Sequence, residues 1–140
     1  MIRLNRGSLI ALLAFSSLAP ANAQAKPGAQ SMKDRGKYIV ESVAMCELCH
    51  TPRDENGNPD PGRWLMGGPA QLRPPYPAPT WALFEPRIGG GPPGTDADFI
   101  KLLTTGISRT GRPPNPPMPP FRMTREDAEA VLVYLKSLGR

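Results

Sequence analysis

The chain has 140 residues, among them 19 prolines and 14 glycines, and carries a formal net charge of +5. This length suits one domain, and so much proline leaves little regular structure, so a large hydrocarbon core cannot organise the fold alone. The basic side chains are scattered and not interleaved with aromatic residues, which excludes a nucleic-acid-binding surface as the basis of function.

Residues 1–23 have the parts of a secretory signal peptide: two arginines, an apolar run over 9–18 and small residues ending at Ala23. The apolar run is about half of the ~20 residues that cross a bilayer, which favours a cleaved leader over a membrane anchor. We predict cleavage after Ala23, and a mature domain of residues 24–140 with net charge +3, exported to the periplasm without a transmembrane anchor.

A helix is predicted to follow the leader. Ser31 fits an N-cap because Asp34 stands three residues later. Apolar residues then recur on one face at helical spacing, namely Ile39, Val40, Val43 and Ala44.

Both cysteines of the chain and its only histidine lie within "CELCH", residues 46–50. A thiol-redox pair of this spacing normally follows a strand in a β-α-β unit, and here the preceding residues indicate helix. Zinc requires about four ligands, and no second Cys/His pair follows. C-x-x-C-H is the signature of covalent haem attachment, a reaction that takes place outside the cytoplasm, so the sequence favours haem.

The next long stretch, residues 51–94, is rich in proline and glycine and shows no convincing strand. A structureless loop of this length is uncommon inside a compact domain. A large, flat, apolar cofactor would explain it, because irregular chain can wrap the cofactor and use it as the core.

Two further helices are predicted, both begun by a threonine cap. Thr95 with Asp98 begins the first, and Gly106 ends it. Thr124 with Asp127 begins the second, with Gly139 at its end and inward-facing apolar residues at Ala128, Val131, Leu132, Leu135 and Leu138. Met123, just before this cap, is expected to pack back on the helix as a staple.

Three stretches together resemble a known family: "DRGKYIVESVAMCELCHTP", "TDADFIKLLTTGI" and "PPMPPFRMTREDAEAVLVYLKSL". They are similar to the first helix and haem motif, the middle helix, and the methionine loop with the last helix of class I monohaem cytochromes c. The likeness is to the small bacterial exported type and covers roughly residues 34–138. It implies an all-α fold, with three main helices around one covalently bound haem and long Pro/Gly-rich loops. Gly36 and Tyr134 match the positions where the family's first and last helices cross.

The resemblance also implies a set of haem-binding residues. One haem c would be joined by thioethers at Cys46 and Cys49, with His50 as the fifth iron ligand and Met118 as the sixth. Met118 has a proline on each side, which makes its backbone rigid and extended. Met66, in "WLMGGP", stays an alternative sixth ligand.

In the family, a Gly-Pro step after the haem motif supplies the carbonyl that accepts the second ring N–H of the histidine. Gly68-Pro69 resembles this step, and Pro52 is the alternative. An insertion, "RDENGNPDPGRWLM", separates Gly68-Pro69 from the motif.

His/Met ligation fills both axial positions of the iron and so indicates one-electron transfer and not catalysis on a bound molecule. The expected partner is a redox protein, either a dehydrogenase, of which this chain could be the cytochrome subunit, or a terminal oxidase. A five-coordinate haem enzyme or sensor that binds peroxide or a diatomic gas is the alternative. A haem-free interaction module built on the proline-rich loops is a third class.

Overall fold

A computed structural model describes residues 28–139, so the predicted leader and its cleavage site lie outside the described residues. The regular elements, in chain order, are helix α1 (Ala29–Tyr38), a π-helical turn (Ile39–Val43), helix α2 (Glu47–His50), a 3₁₀ turn (Pro61–Arg63), strands β1 (Gly68–Pro69) and β2 (Phe84–Glu85), and helices α3 (Asp96–Thr105) and α4 (Arg125–Ser137). Helices dominate, and the all-α prediction with three main helices is confirmed.

Helices α1 and α4 cross at Gly36. A Cβ at this position would lie 2.0 Å from the carbonyl oxygen of Ala130 and 2.8 Å from the Cβ of Tyr134. Only glycine permits so close an approach, which confirms the crossing that the sequence predicted. The largest fully buried apolar side chains of the core are Val40, Leu65, Val131 and Leu135.

The start and end of the first helix differ from the prediction. The N-cap is Gly28, and the Ser31 hydroxyl donates to the Gly28 carbonyl oxygen from inside the first turn. At the other end the chain continues as a π-helical turn, in which the Ala44 N–H donates to the Ile39 carbonyl 2.8 Å away. The wider turn changes the register, and Val43 is 56% exposed instead of facing the core.

The predicted caps of α3 and α4 are present. Thr95 and Asp98 form a reciprocal capping box, and Gly106 ends α3 in the left-handed conformation at φ +66°. The Thr124 side chain accepts from the Asp127 N–H, whereas the Asp127 carboxylate pairs with Arg35 of α1 at 2.9 Å. This ion pair joins the two crossing helices at their surface.

The inward face of α4 matches the prediction except at its end. Ala128, Val131, Leu132 and Leu135 are buried, but Leu138 is 38% exposed. Leu138 is the C-cap residue, where the chain leaves the helix, so it no longer follows the buried stripe. Met123 packs against the core beside this helix, as a staple residue should.

The long segment between α2 and α3 is less irregular than expected. β1 and β2 form a two-residue antiparallel pair, with Gly68 opposite Glu85 and Pro69 opposite Phe84. The buried Thr51 hydroxyl accepts the Leu65 N–H at 3.0 Å, which fastens the segment beside the end of α2. The prediction that this region contains no strand was therefore wrong at these four residues.

Across residues 28–139, no helix has both the length and the apolar character needed to cross a bilayer.

Candidate haem-binding site

The two thiols and the imidazole lie on a single turn of chain, formed by helix α2 and its N-cap residue, Cys46. The Cys46 N–H donates to the Val40 carbonyl at 2.9 Å, so the motif is attached directly to the π-helical turn. The Cys46 carbonyl in turn accepts the His50 N–H at 2.9 Å. This turn places Cys46, Cys49 and His50 together, as the spacing of the motif predicts.

The His50 imidazole is buried and held in one orientation. Its Nδ1–H donates to the carbonyl oxygen of Pro86 at 2.7 Å, because a carbonyl can only accept. Burial lowers the pKa of His50, against the smaller raising effect of the Pro86 hydrogen bond. The neutral ring therefore keeps Nε2 unprotonated, the form in which an imidazole ligates a metal.

Pro86 as the hydrogen-bond acceptor corrects the sequence prediction of Gly68-Pro69 or Pro52. Gly68 and Pro69 instead form β1 and pair with β2, which leads directly into Pro86. A second hydrogen bond completes the arrangement, since the Gly67 N–H donates to the His50 carbonyl at 2.7 Å. The acceptor is therefore a proline further along the chain than either predicted one.

The thiols do not have the character of a redox pair. Cys46 and Cys49 are not bonded to each other. Burial, helped by the charge of Glu47, raises the pKa of Cys46 to about 12. Burial also raises the pKa of Cys49, with a further contribution from Glu85. Thiol–disulfide catalysts need a lowered thiol pKa, so this environment opposes that function.

The surroundings of the motif suit an apolar cofactor. Eight large apolar side chains between residues 43 and 84 are exposed: Val43, Met45, Leu48, Met66, Leu72, Tyr76, Leu83 and Phe84. Isolated exposed apolar residues are ordinary, but eight within one stretch of about forty residues leave apolar surface that suits an apolar cofactor. Two thiols, one oriented imidazole and an apolar lining together fit a covalently attached haem.

The two candidate sixth ligands lie in different settings. Met118 is half-buried in a turn where its N–H donates to the Asn115 carbonyl at 3.3 Å. The Pro116 carbonyl in this turn accepts the Ala82 N–H at 2.7 Å. Met66 is 41% exposed and directly precedes Gly67, whose N–H is bonded to His50.

Several site residues were missed by sequence reasoning. Pro86 and Ala82 act through backbone atoms, which leave no mark in a residue pattern. Gly67, at φ +70°, lies against the backbone of residues 85–87, and a long glycine-rich segment gives no signal for one such contact. Glu85 is buried beside Cys49, and a lone glutamate between phenylalanine and proline does not predict that.

Comparison with known proteins agrees with this site. The Cytochrome c family profile matches residues 25–139 of the chain. A dihaem cytochrome c-type protein of Cereibacter sphaeroides is 51% identical over 37 residues, which is 26% of this chain and only 12% of that protein. Members of the family carry electrons on a covalently bound haem c, and Cys46 and Cys49 fit its attachment motif. With most of its length matched, the chain belongs to the cytochrome c family.

Proposed function

We propose that the protein transfers single electrons through one haem c attached at Cys46 and Cys49, with His50 and Met118 as the axial ligands of the iron. The observation that carries this proposal is the buried His50 ring, held by Pro86 with Nε2 available, on one turn with both thiols. Haem c supplies a one-electron iron couple, and a methionine ligand raises its potential relative to a second histidine.

The backbone ties around Met66 support Met118 as the sixth ligand. Leu65 donates to the Thr51 hydroxyl at 3.0 Å and Gly67 donates to the His50 carbonyl at 2.7 Å. Both neighbours of Met66 are thus fastened to the chain that carries His50. A haem bound to His50 would take its sixth ligand from the face opposite His50. The backbone ties of Leu65 and Gly67 to the His50 segment favour Met118 for that role, because Met118 belongs to a separate segment.

The protein's contribution is to keep both ligands fixed while the iron changes charge. His50 is oriented by one hydrogen bond and buried, so its ring does not rotate or take up a proton easily. If His50 and Met118 both bind the iron, peroxide or a gas would find no coordination site, which favours a carrier over an enzyme or sensor.

Replacing Met118 tests the ligand assignment. Met118→Ala should remove the thioether-to-iron charge-transfer absorption of the ferric protein and lower the reduction potential, because a thioether favours reduced iron. Met66→Ala is the matched control and should leave both measurements unchanged. Loss of the absorption in Met66→Ala but not in Met118→Ala would reverse the assignment, and a high-spin wild type would favour the five-coordinate alternative.

We also propose that residues 1–23 are a leader removed on export and that residues 24–140 work in the periplasm with a dehydrogenase or terminal oxidase. The arginine-led apolar run that ends at Ala23 supports this, as does haem attachment, which takes place outside the cytoplasm. N-terminal sequencing of the haem-containing protein should read from Gln24, and a chain that retains Met1 would contradict cleavage.

A further inference from the structure

Residues 82–86 are hydrogen-bonded at both ends to the segments that carry the proposed axial ligands. At one end the Ala82 N–H donates to the Pro116 carbonyl at 2.7 Å, two residues before Met118. At the other end the Pro86 carbonyl accepts the His50 Nδ1–H, also at 2.7 Å. A single short segment thus contacts the chain on both sides of the proposed iron site.

The segment is held in its middle as well. Phe84–Glu85 pairs with β1, and the Leu83 carbonyl accepts the Ala70 N–H at 3.0 Å. The hydrogen bond at each end is accepted by a proline carbonyl, that of Pro116 at the first end and that of Pro86 at the second. Proline restricts its own backbone to one narrow range of φ. Because the middle and the acceptors are fixed, the two ends cannot move independently.

The methionine loop, residues 108–122, makes few backbone hydrogen bonds to distant segments. Residues 108–122 hydrogen-bond mainly among themselves, as in Ser108 N–H to Arg112 O at 2.8 Å and Met118 N–H to Asn115 O at 3.3 Å. Within the described part of the chain, the Ala82 N–H provides the hydrogen bond that joins this loop to a distant segment. Besides the Phe121 side chain, which packs against the core near the end of the loop, this bond is the contact that ties the surroundings of Met118 to another segment.

We propose that residues 82–86 are a strut that positions both axial ligands together, with the Ala82 N–H holding the Met118 side and the Pro86 carbonyl holding the His50 side. The inference rests on the proposed ligation by Met118. A methionine is a weak ligand, so a loop released from the strut exchanges its methionine for foreign ligands more readily.

Removing the Ala82 N–H tests the strut. Ala82→Pro deletes the donor, and Ala78→Pro is the matched control, because Ala78 lies outside the strut and its N–H makes no hydrogen bond within residues 28–139. The probe is imidazole binding to the ferric haem protein, followed by absorption. Ala82→Pro should bind imidazole about fivefold more tightly, the change expected for one lost hydrogen bond, and have a lower reduction potential. Ala78→Pro should match the wild type in both.

Two milder substitutions test the strut if the Ala82→Pro protein fails to fold. Pro116→Gly keeps the acceptor carbonyl but frees its backbone, and Pro113→Gly does the same at an exposed position of the same loop. Pro116→Gly should bind imidazole more tightly than Pro113→Gly.

The two proposals fail in different ways. If Met118→Ala keeps the thioether absorption, the ligand assignment fails and the strut fails with it. If Met118→Ala loses that absorption but the Ala82 and Pro116 variants bind imidazole like their controls, Met118 remains the ligand and the strut is overturned.

Discussion

The way His50 is held depends on single residues of the segment between α2 and α3. One of them is Gly67, where the structure leaves no room for a side chain. Its φ is +70°, and a Cβ would lie 2.4 Å from the Glu85 carbonyl oxygen, 2.5 Å from the Arg87 nitrogen and 2.6 Å from the Pro86 carbonyl carbon. A side chain here therefore pushes on the backbone that presents the Pro86 acceptor to His50.

We predict that Gly67→Ala destabilises the haem protein and shifts its reduction potential, because Pro86 must move. Gly57→Ala is the control, since Gly57 has φ +81° and a Cβ there would meet nothing within 4 Å. Both variants lose about 1–2 kcal/mol to the left-handed backbone, and Gly67→Ala loses more. Chemical unfolding and redox titration measure the two effects. Equal stability and equal potential in the two variants would show that the contact with Pro86 is unimportant.

Glu85 is 5% exposed, and neither carboxylate oxygen has a hydrogen-bond partner among the described residues. Burial raises the pKa of Glu85, and the charge of Arg53 opposes this more weakly. Folding therefore favours the protonated acid. The stability this provides is complete below the unfolded pKa and is lost as pH rises through the folded pKa.

We predict that Glu85→Gln is more stable than the wild type at neutral pH, by on the order of 1 kcal/mol, because glutamine stays uncharged. The difference should shrink towards zero as pH falls to about 3.5, where the unfolded glutamate is also protonated. Urea unfolding of the haem protein across this pH range measures it, with the exposed Glu55→Gln as control. A gain that does not depend on pH would rule out relief of a buried charge.

At the scale of elements, the crossing of α1 and α4 fixes where the haem motif begins. α1 runs through the π-helical turn into Cys46, so a displaced α1 also displaces α2. Three contacts stabilise the crossing: the close approach of the two helices at Gly36, the Arg35–Asp127 ion pair, and the hydrogen bond that the Tyr134 hydroxyl donates to the Glu41 carboxylate. Burial and this carboxylate raise the pKa of Tyr134 to about 12, so it remains a donor.

We predict that Gly36→Ala destabilises the protein by about 1–3 kcal/mol or more, because its Cβ meets rigid helix backbone at Ala130. Lys37→Ala, the neighbouring exposed position, should change the free energy of unfolding by less than about 0.5 kcal/mol. Thermal unfolding of both variants makes the comparison. If the two midpoints fall together, the close approach of the helices has no energetic role.

At the scale of the whole molecule, the buried core comes mainly from the π-helical turn, α3 and α4. The segment between α2 and α3 adds Leu65 and Ile88 to this core but leaves other large apolar side chains exposed. An attached haem gives its apolar side chains a surface to pack on, so cofactor binding and folding are coupled.

We predict that the Cys46→Ala/Cys49→Ala protein holds haem weakly and loses most of its cooperative unfolding transition. Circular dichroism and haem absorption of the purified protein measure both losses. Glu55→Ala, at an exposed position shortly after the motif, should keep haem and a cooperative transition. A stable, well-folded, haem-free double variant would contradict the role of haem as core.

The sequence by itself determined the features that side-chain identity specifies. The two thiols and one histidine at fixed spacing indicated haem, threonine with aspartate three residues later located the starts of α3 and α4, and Gly36 marked the helix crossing. These signals are local, because capping, helical periodicity and the attachment motif each act within a few residues of chain.

Only the tertiary structure decided how the site is supported. Pro86, 36 positions after His50, supplies its acceptor through a backbone carbonyl, and Ala82 meets Pro116 through a backbone N–H. Every residue except proline has the same backbone donor, and every residue has the same acceptor, so no residue pattern can tell which pair will meet. The π-helical turn that exposes Val43 has the same origin, since the apolar spacing fits an ordinary helix and only the hydrogen bond from the Ala44 N–H to the Ile39 carbonyl shows the wider turn.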